Sequence, residues 1–410
     1  MHWLFSNPLL PWFVQSLLLL AGYVSWRFNQ NFWASLDHAP HLTAPAIAPA
    51  ALPAIAVIIP AYNEAINLKD CVNAVLKSRL PQPENLQVWI ADDESTDATA
   101  AIAQALVAQD PRVHLVAVPP RPRTEIWRGK NWACAQAVEQ AQGEYLLFID
   151  ADVRLEPDAI ATALVTAEKS QTDLISCIPE ILCGCLAEWL VQPLIFRILT
   201  AGFNITSVND PSQEVAFAVG PFMLFRRTAY NQIGGHRAVA ADLVEDVALA
   251  RQIKAAGLKM YLSLGLGLVK VRMYRNWASL WEGWTKNLHM GAGRKVTSTL
   301  MIAVIALFGQ TIAWLGVGLA GLAVVLTWPS LAWWVPGYSA LTLLIWQLWL
   351  WQQQAKAIQL LPRYWWLTWL GGLLVTAIAI GSIIKTETGW GWTWRGRSLA
   401  IEKQFGSESE

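Results

Sequence analysis

Charge is scarce in this 410-residue chain. Only 15% of its residues are Asp, Glu, Lys or Arg, against roughly 25% in ordinary soluble domains. The 30 basic and 30 acidic side chains cancel to a net charge of +0, so the overall balance does not favour a nucleic-acid backbone as partner. Cysteine is sparse too. Cys71, Cys134, Cys177, Cys183 and Cys185 are an odd number, and their spacing fits no zinc site. Cys183-Gly184-Cys185 reads as incidental, and reduced thiols suit a cytoplasmic domain. With 54% hydrophobic residues, the chain is also no disordered polymer.

The missing charge is missing locally. From Ser298 to Ile384 only Lys356 and Arg363 are charged. Three apolar stretches fall there, near 299–327, 332–351 and 364–384, each reaching the roughly 20 residues a bilayer-spanning helix needs. Trp collects at membrane–water interfaces, and Trp328, Trp333, Trp334, Trp365 and Trp366 sit at stretch ends. Residues 9–26 form a fourth stretch. Met1 to Asn7 carries no Lys or Arg, and Arg27 is the first basic residue. That pattern favours an anchor over a cleaved signal peptide, with the following domain in the cytoplasm.

The expected organisation is an N-terminal transmembrane anchor over 1–38 and a Pro/Ala-rich linker over 39–54. The large central domain follows over 55–295, then C-terminal transmembrane helices over 296–386 and an interfacial tail over 387–410. The reading is an integral membrane protein with its central domain on the cytoplasmic face. Three C-terminal spans would put the tail outside, whereas Lys385, Arg395, Arg397 and Lys403 favour inside. Either one stretch does not span, or the first hides a re-entrant pair.

The middle segment alternates strands and helices. Strands are expected at 55–60, 86–92, 112–118 and 144–149, with helices from Glu64 to about Lys77, at 97–109 and at 129–142. That alternation predicts an α/β fold with a parallel sheet covered on both faces. Ligands bind such sheets at the carboxyl ends of strands. The polar clusters stand there: Pro60-Ala61-Tyr62-Asn63-Glu64, Asp92-Asp93-Glu94-Ser95 and Asp150-Ala151-Asp152.

Each cluster has a plain and a chemical reading. Asp150 and Asp152 can share one hard cation with phosphate oxygens, or can end a strand and cap a helix. Asp92 can accept hydrogen bonds from a base or ribose, and Asp97 suits a helix N-cap. Arg121, Arg123, Arg128 and Lys130 surround a helix start, an arrangement suited to a diphosphate. Glu245-Asp246 opens a helical run, where acids complement the helix dipole or supply a general base.

Together these motifs, in this order with Gly129-Lys130 between them, resemble the family 2 glycosyltransferases of GT-A fold over about residues 55–290. The strings Trp127-Arg128-Gly129-Lys130-Asn131-Trp132-Ala133, Gly220-Pro221-Phe222-Met223-Leu224-Phe225-Arg226-Arg227 and Trp281-Glu282-Gly283-Trp284-Thr285-Lys286-Asn287 are similar to those of membrane-bound glycosyltransferases associated with carotenoid and hopanoid lipids. The ceramide glucosyltransferases are a more distant likeness. The resemblance implies a Rossmann-like catalytic domain joined to transmembrane helices. It implies that Ala61, Tyr62, Glu64 and Asp92 hold the nucleoside, usually uridine, and that Lys130 contacts the nucleotide near its phosphates. It implies that Asp150 and Asp152 bind nucleotide and metal (Mg2+ or Mn2+), with Asp152 the direct ligand. It makes Asp246 the general base beside Glu245, in a reaction that inverts the anomeric centre.

One departure stands out. Many processive relatives carry Gln/Arg-x-x-Arg-Trp, but Arg272-Met273-Tyr274-Arg275 is followed by Asn276 before Trp277. This weakens a polysaccharide-synthase reading. Lys286 either replaces the missing cation or is a helix-surface lysine.

Residues 184–203 are apolar but carry Glu188 and Arg197. They read as an interfacial helix or a core helix. Trp277, Trp281 and Trp284 recur at about one helical turn, a stripe that suits packing at a membrane surface. The Trp- and Arg-rich string 390–397 also looks interfacial. The expected activity is transfer of a hexose from a nucleotide-sugar, a UDP-sugar first, to a hydroxyl of a membrane lipid or terpenoid. The alternatives are a polyprenyl-phosphate or polysaccharide-forming sugar transferase, and a non-catalytic nucleotide-sugar-binding membrane scaffold.

Overall fold

The computed structural model describes residues 9–44, 49–122, 124–327, 331–360 and 363–399. Expectations resting on residues 1–8, on 45–48 of the linker and on Arg123, Trp328 and Lys403 lie outside the described residues. The chain divides into two compact units. One comprises Ser35–Leu182 and Phe203–Met273, the other Met1–Ala34, Cys183–Gly202 and Tyr274–Glu410.

The first unit is built on a seven-stranded sheet. Its strands are β1 Ile55–Ala61, β2 Leu86–Asp92, β3 Val113–Ala117, β4 Tyr145–Phe148, β6 Leu174–Ile178, β8 Met223–Arg226 and β9 Met260–Leu264, in the order β3-β2-β1-β4-β8-β6-β9. Strands β1, β4 and β6 are apolar and almost wholly buried, as strands covered on both faces must be. They take the interior, while β3 at the edge exposes part of its length. The pairs β1–β2, β2–β3, β1–β4 and β6–β9 are parallel. Strand β8 runs antiparallel to both β4 and β6, so the sheet is mixed rather than purely parallel. A smaller sheet joins β5 Val153–Leu155, β10 Val269–Val271 and β7 Glu180–Ile181.

The order reverses at β1. Strands β2 and β3 lie on one side of it and β4 on the other, so the loops leaving the carboxyl ends of β1 and β4 diverge. A crevice at such a switch point is where an open α/β sheet binds its ligand. The helices agree with the expected ones within a turn. The first begins at Leu68 rather than Glu64, because residues 63–67 are spent on a turn in which Asn63 adopts φ +54. The next begins at Thr99 with Ala98 at the N-cap, one residue later than expected, and Asp97 just before it accepts the Thr99 N–H at 2.9 Å.

The second unit is helical. Its helices are Leu10–Leu36, Leu186–Gly202, Trp277–Gly291, Val296–Gln310, Ile312–Thr327, Leu331–Ala357 and Thr368–Thr388. Among the described residues one helical segment, Trp365–Thr388, is long and apolar enough to cross a membrane. The stretch 299–327 is two helices bent by 42° at Thr311. Glycines bring helices together. A Cβ at Gly371 would overlap the Leu190 carbonyl oxygen, and one at Gly372 the Thr311 hydroxyl.

The helix Leu186–Gly202 corrects the interfacial expectation, because both of its charges are buried. Glu188 caps its own start by accepting the N–H groups of Gly184 and Cys185 at 2.7 and 2.8 Å. Trp284 is buried and donates to Gln192 at 2.6 Å, while Trp277 stays exposed. Lys286 lies over the Trp394 ring, 4.1 Å from its centroid, so its charge is held within this unit. Trp390 is exposed and Trp392 buried. All five cysteines are free thiols.

Candidate active site

The loops after β1 and β2 are stitched together. Asn63 N–H donates to Ser95 Oγ at 2.9 Å, Thr96 N–H to Asn63 Oδ1 at 2.8 Å, and Glu64 N–H to Thr99 Oγ1 at 2.8 Å. Ala61 ends β1, and its carbonyl accepts the Asp93 N–H at 2.9 Å. Asp92 ends β2, while Tyr62 and Glu64 are half-buried beside it. The four residues expected at a nucleoside therefore form one rim, at the carboxyl ends of two adjacent strands.

The helix Gly129–Gln140 starts against that rim. A Cβ at Gly129 would overlap Asp93 Oδ2, so the close approach requires glycine. The next residue, Lys130, reaches two carboxylates at once: its Nζ lies 2.6 Å from Asp150 Oδ1 and 2.6 Å from Glu245 Oε1. Burial works against this ammonium, yet the two carboxylates outweigh it and hold its pKa well above the usual lysine value.

Asp246 faces the same point. Its Oδ2 accepts the Gly220 N–H at 2.8 Å, and its Oδ1 the Val247 N–H at 2.8 Å. A Cβ built on Gly220 would stand 3.2 Å from Asp246 Oδ2, 3.3 Å from Lys130 Nζ and 3.8 Å from Asp150 Oδ2. Residues from four separate parts of the chain thus meet within one small volume. Burial, with the Glu245 carboxylate adding to it, pushes the Asp246 carboxyl up to about 7. A carboxylate in that range accepts a proton more readily than a solvated one.

Asp150 and Asp152 flank the turn between β4 and β5. The backbone oxygen of Asp150 faces the Cys71 thiol at 3.6 Å, and that of Asp152 accepts the Arg272 N–H at 3.3 Å. Burial pushes the Cys71 thiol far up, which keeps it protonated and unreactive. Among the described residues no group of three or more His, Cys, Asp or Glu side chains converges to hold a metal. Two carboxylates with hard oxygen donors nevertheless fit Mg2+ or Mn2+, provided that phosphate oxygens and water complete the shell.

Several supporting residues escaped the sequence reading. Asn131 is buried, and its side-chain nitrogen lies 2.7, 3.2 and 2.9 Å from the carbonyl oxygens of Val239, Ala240 and Asp242. Arg128, which the sequence reading sets among the cations suited to a diphosphate, adds a backbone bond to Ala240 and a side-chain bond to Ala241. The helix that carries Lys130 therefore also holds the loop leading to Glu245-Asp246. Ser176 Oγ accepts the Val219 N–H at 2.8 Å and steadies the turn at Gly220. Beneath β4, Phe148 packs on Tyr230 and His236, with ring centroids 5.4 and 4.7 Å away. Burial, reinforced by Lys130, pushes His236 down to about 3, so it is a neutral packing group. Asn131 and Gly220 lie in strings noticed only for their resemblance, and no local pattern marked their roles.

The profile of Glycosyl transferase family 2 matches residues 56–234. The 4,4'-diaponeurosporenoate glycosyltransferase of Staphylococcus aureus (strain USA300) is 30% identical over 271 residues, covering 65% of this chain and 69% of that protein. Its counterpart from strain MRSA252 is 31% identical over 272 residues, with the same coverage of 65% and 69%. Among solved structures, the mannosyltransferase PcManGT from Pyrobaculum calidifontis, in complex with GDP-Man and Mn2+, aligns with a TM-score of 0.51 at 17% identity. That alignment covers 93% of this chain and 99% of that one, and it supports the fold.

Proposed function

The chain belongs to glycosyl transferase family 2 and is a glycosyltransferase; from that premise we propose that it moves a hexose, with inversion, from a nucleotide-sugar to a hydroxyl of a membrane lipid or terpenoid. The observation that carries this reading is the meeting of Asp150, Lys130, Glu245 and Asp246 around Gly220. Ala61, Tyr62, Glu64 and Asp92 bind the nucleoside of a UDP-sugar. Lys130 lies where the charge of a diphosphate leaving group develops, and that charge is what a fixed cation stabilises. Asp152 and Asp150 would hold Mg2+ or Mn2+ together with the diphosphate oxygens, and the ion would supply further neutralisation of the leaving group.

Asp246 accepts the acceptor's hydroxyl proton. The new O–C1 bond forms as the C1–O bond to the diphosphate breaks, and the nucleoside diphosphate departs. Glu245 raises the basicity of Asp246 and keeps Lys130 in place. For an alcohol this proton transfer contributes on the order of 10²–10⁴ in rate.

A lipophilic acceptor is supported by the helical unit. It exposes large apolar side chains, Phe13, Leu19, Val325 and Ile345 among them, more than a water-facing surface carries without a partner. We place this unit in the membrane. A second reading of the acceptor group is favoured by the relatives, whose printed name specifies an acid. A carboxylate is already ionised near neutral pH and needs no base, so the product would be a glycosyl ester. One experiment separates the two. Membranes containing the wild-type chain or Asp246→Asn are given labelled UDP-sugars with a lipid alcohol or the matching acid. Under the hydroxyl reading, transfer to the alcohol disappears in the variant. Under the acid reading, transfer to the acid survives it. A wild-type chain that binds nucleotide-sugar but glycosylates nothing in any lipid extract would overturn the catalytic proposal in favour of a scaffold.

A further inference from the structure

The segment from Asp210 to Gly220 is tied at both ends to the helix Glu245–Ala255, which carries the proposed base. At one end Lys254 Nζ donates to the carbonyl oxygens of Asp210 and Gln213 at 2.6 and 3.2 Å. At the other, the Gly220 N–H donates to Asp246 Oδ2 at 2.8 Å. Between these anchors residues 214–218 have no regular structure and, among the described residues, no backbone hydrogen bond. The segment is therefore a strap whose backbone is held at its ends, by the same helix that holds Asp246.

The middle of the strap is apolar where it meets solvent. Val215 is 42% exposed. Phe217 is half-buried and lies flat on the half-buried ring of Phe203, with centroids 3.6 Å apart and planes 14° from parallel. Each ring gives one face to the other and keeps apolar surface uncovered. Phe222 and Phe225, a few residues on, are wholly buried in the core, so the stretch does not lack core positions for its rings. Apolar side chains gathered outside a core point to a partner, whereas scattered ones do not. Phe217 precedes Gly220 by three residues, so its backbone stands within about 11 Å of the point where the base is anchored, even if the chain between is fully extended. An alkyl chain whose terminal oxygen lies beside Asp246 covers that distance only after several carbons.

We propose that Phe203, Val215 and Phe217 form the subsite for the apolar chain of the acceptor, and that the strap sets acceptor specificity by holding that chain while its polar end lies beside Asp246. The proposal rests on the reading that the protein glycosylates a lipophilic acceptor, and it holds whether the polar end is a hydroxyl or an acid. All of its residues belong to the catalytic unit.

The test uses the full protein in a neutral detergent with labelled UDP-hexoses and two acceptor pairs, hexanol with dodecanol and hexanoate with laurate. The quantity read is the ratio of kcat/KM for the long acceptor to that for the short one. Partition into micelles is common to every variant, so a change in this ratio between variants reports the subsite. Wild type is expected to favour the long acceptor. Phe217→Ala is expected to lower the ratio at least about tenfold, the scale on which apolar pocket contacts discriminate between substrates. The loss should appear in the KM for the long acceptor, with the KM for the UDP-hexose unchanged. Val215→Ser, at an exposed position, is expected to shift the ratio in the same direction by less, and it decides alone should Phe217→Ala fail to fold. A wild type indifferent to chain length, a ratio unchanged in the variants, or an equal loss for short and long acceptors overturns the proposal; the last is what a purely structural strap would give. Wild type that transfers to no acceptor of either length overturns the lipophilic-acceptor reading and the proposal with it, so the two failures are told apart.

Discussion

The backbone N–H of Gly220 donates to Asp246 Oδ2 at 2.8 Å, across 26 residues of sequence. The bond fixes one oxygen of the proposed base and leaves little room for a side chain at 220. In Gly220→Ala the new Cβ would stand 3.2 Å from Asp246 Oδ2 and 3.3 Å from Lys130 Nζ, so both must give way by a few tenths of an ångström. Misplacing reacting groups costs rate steeply. The expected result is a kcat lower by on the order of tenfold, with Tm nearly unchanged. A variant with wild-type kcat would show that Asp246 is not held for chemistry.

The acid limb of the pH profile carries a signed prediction. As the proposed base Asp246 must be ionised, and burial together with Glu245 pushes its carboxyl up to about 7. The rate kcat/KM for an alcohol acceptor should therefore rise with pH through about 7. Glu245→Gln removes a like charge, so the limb moves to lower pH. Lys130→Met removes the cation that holds Asp246 down, so the limb moves to higher pH. The stability linkage follows from the same raised pKa. The folded state binds this proton more tightly than the unfolded chain, so the group's stabilising contribution is full below the usual aspartate value and is lost as pH rises through about 7. Shifts in the same direction for the two variants would contradict the assignment of Asp246.

Much of the catalytic unit is legible in sequence because buried strands announce themselves. Ile55–Ala61 and Tyr145–Phe148 are apolar runs that end abruptly in polar residues, and those ends are where Ala61, Asp150 and their neighbours stand. What was not legible depends on partners far along the chain. Strand β8 is four residues long, and nothing within it states that it runs antiparallel between β4 and β6. The burial of Arg197 depends on Gln354, 157 residues away. A helical pattern alone therefore reads Glu188 and Arg197 as facing headgroups. The conflict between an odd number of C-terminal spans and a basic tail allowed for a re-entrant pair in the first stretch, but nothing in that apolar run places the bend at Thr311.

Metal and nucleotide should bind as a pair. The proposed ligand set is the two carboxylates of Asp150 and Asp152, and Asp150 already faces Lys130. A hard cation held by so few protein oxygens needs phosphate to complete its shell. Metal affinity should be weak alone and rise with UDP present, and UDP affinity should rise by the same factor with metal present. Calorimetric titrations of each with and without the other measure both factors. EDTA should abolish transfer, Mg2+ or Mn2+ should restore it, and Asp152→Ala should lose the coupling while keeping its fold. Tight metal binding without nucleotide would mean that the ligand set is different.

Asn131 offers the clearest separation of positioning from folding. Its side-chain nitrogen stands against three carbonyls of the loop 239–242, and Glu245 follows that loop by three residues. In Asn131→Ala those carbonyls lose a buried donor, a penalty of about 1–3 kcal/mol, so Tm should fall by several degrees. Asn131→Asp should be worse, because it sets a carboxylate against the same oxygens. The loop then no longer holds the start of the helix Glu245–Ala255 against Lys130. At a temperature where Asn131→Ala is fully folded, its kcat should remain well below wild type while the KM for the nucleotide-sugar changes little, since the proposed nucleoside rim at Ala61 to Asp92 is untouched. Recovery of wild-type kcat under those folded conditions would reduce Asn131 to a purely structural residue, and the base would then owe its placement to Gly220 and Val247 alone.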